Sequence, residues 1–449
     1  MKTERKVIKV ILFFAISVFL LVLVQKPFRE RDERIYDAYE EFYQERENSL
    51  DAVYIGSSTT YAFWQPIAAW ENTGFAVYPI TSPSMPPQSI KYLIAEARKT
   101  QKYPLFIINL NTFNPTNTST VTISDIHKVA DYMPLSGNKV SMINELAAWA
   151  DVQGLDRMEF FMPIIRYHDD WQGLKAWNFF GCSSNKKGTY DYKNHYKNVK
   201  DVTGQYAFVY DSQPMTEDQN KVLTDLLQYL KEESVNALFV VSPGGYATDT
   251  KVLEMYNDMV NAVESEGFPA LNLINRKDEI GLDTTSDFFD AKHTNIHGAL
   301  KFTGYLSDYL KENYDFKDKR GREEYSSWDE AVEPRTNVLK SYVLDFEQDL
   351  SRRDNTLPAM ELRLKKLEKS VYMRWDPVDG ADAYHIYRKD AEHNDWELLT
   401  DLAADADRYT DEGLKAGAAY TYTIVGSRNV AGTDYYGNCI YAGKSAKMP

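Results

Sequence analysis

The sequence predicts two folded bodies of different class behind an apolar N-terminal segment: an α/β three-layer sandwich with a parallel sheet, then an all-β sandwich. Three observations carry this. From Asp51 to Asn313, short apolar runs of strand length alternate with amphipathic runs of helical period. From about Ala359 the period shortens to two, with Gly and Asp turns dividing the runs. Ahead of both, an uncharged stretch from Val10 to Val24 follows a basic tail.

The tail carries Lys2, Arg5, Lys6 and Lys9. As a helix the apolar run alone is about 22 Å long, at about 1.5 Å per residue. Val7 and Ile8 extend it, and Lys9 can snorkel, so a single membrane span is expected. Gln25, Lys26 and Pro27 follow where a small-residue cleavage site would be needed, which favours a retained signal anchor over residues 1–27. The basic tail then stays in the cytoplasm and everything after it faces outward. Residues 28–49 read as a charged helical segment that lifts the body off the membrane.

Residues 50–314 form the expected α/β body. Asp51–Ile55 reads as a strand and Gln88–Lys99 as a helix, with Ile90, Leu93, Ile94 and Ala97 on one face. Tyr103–Asn111 is a buried parallel strand by its continuous apolar character. Met215–Val235 is a helix with Thr216 as N-cap and Glu217 and Asp218 in its first turn. Strands at Asn236–Pro243 and Pro269–Ile274 alternate with helices at Lys251–Glu266 and Asn295–Asn313. At about 114–214 the alternation lapses into an aromatic, polar stretch, read as an insertion over the C-terminal edge of the sheet. Residues 315–358 read as a charged linker, helical over Ser327–Arg352, and 359–449 as the β-sandwich.

Composition narrows the function. A length of 449 residues exceeds one ordinary core, and a net charge of -15 excludes nucleic acid as a partner, because phosphate neutralisation needs a basic face. The two cysteines, Cys182 and Cys439, fall in different domains and supply neither a disulfide framework nor a zinc site.

The chemistry concentrates at two places. The first strand ends in Gly56-Ser57-Ser58, which puts Ser58 in the first turn of the helix that follows. There its backbone N–H lacks an intrahelical partner and can hold an oxyanion. A serine hydroxyl needs a base, and DFFDAKHTNIHGALKFTGYL, Asp287 to Leu306, offers one. Asp290 and His293 are three apart, so the carboxylate can orient the imidazole while the ring faces the serine. His297 stands four residues beyond His293, but the Glu of a zinc-binding His-Glu-x-x-His helix is missing and no third ligand presents itself. No metal and no cofactor are expected. His168 and Trp171, in the insertion, are candidates to line the site.

YIGSSTTY and DAKHTNIHGA resemble the first and last conserved blocks of the SGNH/GDSL hydrolase superfamily. The resemblance covers roughly residues 50–310 and implies that Ser58 is the nucleophile, His293 the base and Asp290 its orienting acid. The superfamily's middle blocks put a Gly and an Asn in the oxyanion hole. Here ITSPSMPPQS offers Thr81 or Ser82 in place of the Gly. NLNTFN aligns Phe113 where the Asn belongs, with Asn111 and Asn114 on either side, so Thr81 and Asn111 are the candidate donors. The anchor, the Gly-Ser-Ser block, a Tyr-His…Trp element and the long insertion are most similar to membrane-anchored proteins of bacterial envelopes. These include teichoic-acid D-alanyl transfer proteins of the DltD type and polysaccharide O-acetylation proteins. The C-terminal stretch resembles a fibronectin type III domain in Trp375, the YTDEGL turn and Tyr420.

These resemblances imply a single-pass protein of the bacterial cell membrane with its catalytic body outside. It would be a serine O-acyl esterase or O-acyltransferase on a cell-wall polymer, an exopolysaccharide or a teichoic acid, and a membrane-bound acyltransferase would supply the acyl group for transfer. The competing expectation is a non-catalytic envelope assembly or glycan-binding protein built on a degenerate hydrolase fold.

Overall fold

Five strands form one parallel sheet: β1 (Ala52–Gly56), β2 (Val77–Thr81), β3 (Leu105–Asn109), β4 (Ala237–Val241) and β5 (Ala270–Asn272). Their order is β2-β1-β3-β4-β5, and every pairing is parallel. The computed structural model describes residues 2–25, 27–29, 32–150, 156–174, 178–179, 186–192, 214–244, 250–283, 287–290, 292–346, 357–390, 395–430, 433–440 and 442–449. Cys182 and the 347–352 end of the expected linker helix lie outside these residues.

The apolar runs are continuous because both faces of the sheet are covered. Val53 and Ile55 point into one core, and Ala52 and Tyr54 into the other. The first core receives Leu223, Leu226 and Leu230 from the Glu217–Glu232 helix, and Met259 and Val263 from the Thr250–Ser265 helix. The second receives Phe302, Leu306 and Leu310 from the Ile296–Asn313 helix. Each such side chain contributes about 1.5–3 kcal/mol when fully buried. Thr216 caps its helix as expected, in a reciprocal capping box with Gln219.

Three segments differ from the sequence reading. Residues 28–49 do not form a stalk: the Glu33–Glu40 helix and the Phe42–Gln44 turn bury Ile35, Ala38, Tyr39 and Phe42 in the first core. Within the expected insertion, residues 123–150 are a helical layer of that core, and the start, at Asn114 to Asn117, stands over the sheet edge. The Ile123–Ala130 and Gly137–Ala150 helices contribute Ile126, Val129, Ile143 and Leu146 to it. The expected linker contains the Ser326–Phe346 helix, which buries Trp328, Ala331, Arg335 and Leu339 against the α/β body. In all three the apolar stripe is real but diluted by charged residues on the solvent side.

The C-terminal region is all-β. Strands β6 (Arg363–Lys366), β7 (Ser370–Arg374) and β10 (Arg408–Glu412) form one antiparallel sheet. Strands β8 (Ala383–Asp390), β9 (Glu397–Ala403), β11 (Ala419–Val430), β12 (Thr433–Tyr436) and β13 (Lys444–Lys447) form the other. Val371, Met373, Trp375, Ile386, Tyr422 and Ile424 fill the space between them. The hydroxyl of Tyr420 accepts the Lys415 N–H at 3.2 Å, closing the turn before β11.

One further element is an apolar helix, Lys2–Gln25, whose Lys6–Gln25 part has a mean hydropathy of 3.1. By length and composition it is able to cross a membrane.

Candidate active site

The strand order reverses between β1 and β3, and in open parallel sheets the crevice beyond the strand C-termini at such a point is where ligands bind. Ser58 follows β1 and Asn111 follows β3, so both stand at this crevice. Gly56 makes the turn sharp enough. A Cβ there would lie 2.2 Å from Thr60 Oγ1 and 2.7 Å from Asn109 Cβ. Ser57 is the N-cap of the Ser58–Phe63 helix, and its N–H donates to Thr112 Oγ1 at 2.9 Å.

The distant end of the domain closes on this turn. Thr294 Oγ1 donates to the Ala62 carbonyl at 2.5 Å, and Asn295 caps the Ile296–Asn313 helix. The turn before that helix carries His293, whose Nε2 lies 2.8 Å from Ser58 Oγ. Its Nδ1 lies 2.9 and 2.8 Å from the two Asp290 carboxylate oxygens. With Nδ1–H donated to Asp290, the Nε2 lone pair is left to accept the serine proton. Asp290 Oδ1 also accepts the Lys292 and His293 N–H groups at 2.7 and 2.9 Å. Burial pushes the Asp290 carboxyl up. The hydrogen bond and charge of His293, with those two N–H groups, outweigh it and hold the carboxyl below the ordinary 3.8. Asp290 is therefore ionised near neutral pH.

Ser58 and His293 open onto a cavity of about 250 Å³ lined also by Ser84, Asn111, Asn114 and Asn117. Asn111 is locked to the end of β4: its Oδ1 accepts the Ser242 N–H at 2.7 Å and its Nδ2 donates to the Ser242 carbonyl at 3.1 Å. Beneath it, Asn109 is fully buried and ties the site together. It donates to Tyr54 and Ser242 hydroxyls and accepts from the Asn111 N–H and Thr59 Oγ1. Lys292 adds a cation to the cavity wall.

The sequence-derived candidates divide accordingly. Ser58, Asp290, His293 and Asn111 are brought together. Thr81 is not: it is fully buried in register with Gly56, while Ser84, three residues on, reaches the cavity. Ser84 holds φ 53°, a left-handed conformation that favours glycine. The alignment of Phe113 with the oxyanion Asn is also corrected. Phe113 is in the first core, and Asn111 and Asn114 line the cavity instead. His168 and Trp171 do not line it; they occupy an exposed turn, Trp171 being 62% exposed, and His168 Nδ1 pairs with the Ile165 carbonyl. His297 turns toward Asp287, with its Nδ1 3.6 Å from that carboxylate. Sequence reasoning missed Ser84 and Asn117. The signal for Asn117 was present in Asn111, Asn114 and Asn117, spaced by three as on one side of a tight helical turn.

No family model matches the chain. Among solved structures, it is similar over 21% of its length to a β-1,2-glucanase from Parabacteroides distasonis, at 21% identity and a TM-score of 0.18. It spans 13% of that glucanase chain. It is also similar to the fn3 domain of the human collagen alpha-1(XX) chain, at 21% identity and a TM-score of 0.17, covering 21% of this chain and 86% of that one.

Proposed function

We propose that the chain is a membrane-anchored serine esterase or acyltransferase of the SGNH/GDSL type that acts on an O-acyl ester of a cell-envelope polymer. One observation carries the reading: Ser58 Oγ, His293 and Asp290 form an unbroken hydrogen-bonded series at the mouth of a cavity on the switch point of a parallel sheet.

In this reading Ser58 Oγ attacks the ester carbonyl as its proton passes to His293 Nε2, which Asp290 steadies from the other side. The oxyanion is held by the Ser58 N–H and the Asn111 amide, each such donor being worth about 3 kcal/mol. Collapse expels the polymer or donor alkoxide, which takes the proton back from His293. The acyl group then passes from Ser58 to water or to a sugar or polyol hydroxyl, activated by the same imidazole. The amide and hydroxyl lining of Asn114, Asn117 and Ser84 suits a polyhydroxylated substrate, since each group both donates and accepts. The apolar helix Lys6–Gln25 supports anchorage in the cell membrane with the body outside. The two antiparallel sheets around Trp375, with the Tyr420 hydroxyl bonded back to Lys415, support a fibronectin type III-like module as a spacer or docking domain.

The test uses the full-length chain in detergent micelles, treated with a serine-directed fluorophosphonate and weighed intact. One adduct on Ser58 that is lost in His293→Ala is expected. Absence of any adduct would favour a binding role on a hydrolase-like fold. Treatment with an acetyl donor then separates the two activities: an acetyl-Ser58 species that persists until a polyol is added marks transfer, and rapid loss in water marks hydrolysis.

A further inference from the structure

The stretch 186–192 is pinned across the back of the site by buried polar contacts. Lys187 Nζ donates to Glu45 Oε1 at 2.6 Å. Thr189 Oγ1 reaches the Tyr61 and Trp64 carbonyls at 3.1 and 2.8 Å. Asp191 forms a buried forked ion pair with Arg335, which also donates to Gln65. This strap has one chemical product: it delivers Tyr192 to the His293 ring.

Tyr192 stacks on Phe289 with ring centroids 4.4 Å apart and lies 5.2 Å from the His293 ring at a tilt of 36°. Its hydroxyl is 3.5 Å from that of Tyr61, and the charge of Arg34, on the helix that follows the apolar segment, acts on it. The ring is thus held by Phe289 and Tyr61, and it packs beside the imidazole. Hydrogen bonds fix the two nitrogens of His293; only a packed surface fixes the plane in which they lie. A π-face beside the ring also favours the imidazolium that forms when Ser58 gives up its proton.

We infer that Tyr192 is a positioning residue for His293, delivered by the 186–192 strap, and that it sets the rate of nucleophile activation without touching substrate. The inference rests on the reading of Ser58 and His293 as a working pair.

The experiment measures fluorophosphonate labelling of Ser58 in the full-length protein against reagent concentration, which separates the limiting rate from apparent affinity. Tyr192→Ala is expected to lower the limiting rate about tenfold with affinity unchanged, the scale of a lost cation–π face. Tyr192→Phe restores the ring and is expected to stay within about twofold of the wild type. Tyr192→Leu fills the space without a π-face and keeps the test open if the Ala variant fails to fold; its rate is expected to fall between the two. Wild-type rates in a folded Ala or Leu variant overturn the inference alone. Failure of the wild type to label overturns the underlying reading and the inference with it.

Discussion

Among the described residues two Ser–His–Asp series occur, and their surroundings differ. In the α/β body, His293 joins Ser58 and Asp290. In the β-sandwich, His385 Nε2 lies 2.7 Å from Ser427 Oγ and its Nδ1 lies 2.6 Å from Asp401 Oδ1. By bond lengths alone the two are equivalent. Their backbones are not. Ser58 stands at a strand-to-helix turn, with its N–H outside the helix ladder and a cavity in front of it. Ser427 stands within β11, flanked by Ala383 of β8 and Tyr436 of β12, and its carbonyl already accepts the Asp382 N–H. Ser427 is buried between two neighbouring strands and lines none of the cavities described. Asp401 is also 57% exposed, against 26% for Asp290, so its charge is better screened by water. The hydrogen-bonded series is therefore only one requirement; an approach path and donors aimed at the oxyanion are the others.

The sharpest way to break this contrast is to remove each serine. Ser58→Ala is expected to lower release of acetate from an acetylated glycan by about 10⁶-fold, as for other lost nucleophiles, whereas Ser427→Ala leaves it unchanged. Activity that persists in Ser58→Ala and is removed by adding Ser427→Ala would mean that the second series is also a working site. Next come the acids. Asp290→Asn leaves His293 in the wrong tautomer and is expected to cost about 10⁴-fold in kcat, while Asp401→Asn has no effect on the same assay. A smaller effect sharpens the role of the donors: Asn111→Ala is expected to lower kcat by about 10²–10³-fold with KM little changed. An unaltered kcat would assign the oxyanion to other groups.

The smallest effect is on stability. Asp290 has a folded pKa below 3.8, so its ionised form contributes stability that is present above that value and lost as pH falls through the folded one. Thermal melts of wild type and Asp290→Asn are expected to converge in acid, as pH falls through the folded Asp290 value. A gap that persists below that value would show that the ionised carboxylate is not what stabilises the folded state.

Much of this contrast was legible in the sequence for Ser58 and invisible for Ser427. The Gly-Ser-Ser strand end and the Asp-x-x-His spacing are local patterns that read the same in sequence and structure. Ser427, His385 and Asp401 lie on three strands, and their meeting depends on register. The same division runs through the fold. The strands β1, β3, β4 and β5, the cap Thr216 and the start of the last α/β helix at Asn295 were legible, because alternation and capping act within a few residues. The helix at Glu33–Glu40 was misplaced as a stalk although Ile35, Ala38, Tyr39 and Phe42 keep helical spacing, because charged residues fill most of the positions between them.

By itself, then, the sequence determined a parallel α/β body, a β-rich C-terminal region, an N-terminal helix apolar enough to span a membrane, and a serine and a His–Asp pair placed to meet. Those follow from period, caps and turn chemistry, which are local. Only the tertiary structure decided that Asn111 and not Phe113 faces the cavity, that Ser84 takes the place beside it in a left-handed turn, that His168 and Trp171 stay away, and that Tyr192 backs the imidazole. Each depends on which distant segments share a wall, and that is set by the packing of the whole core around one strand order.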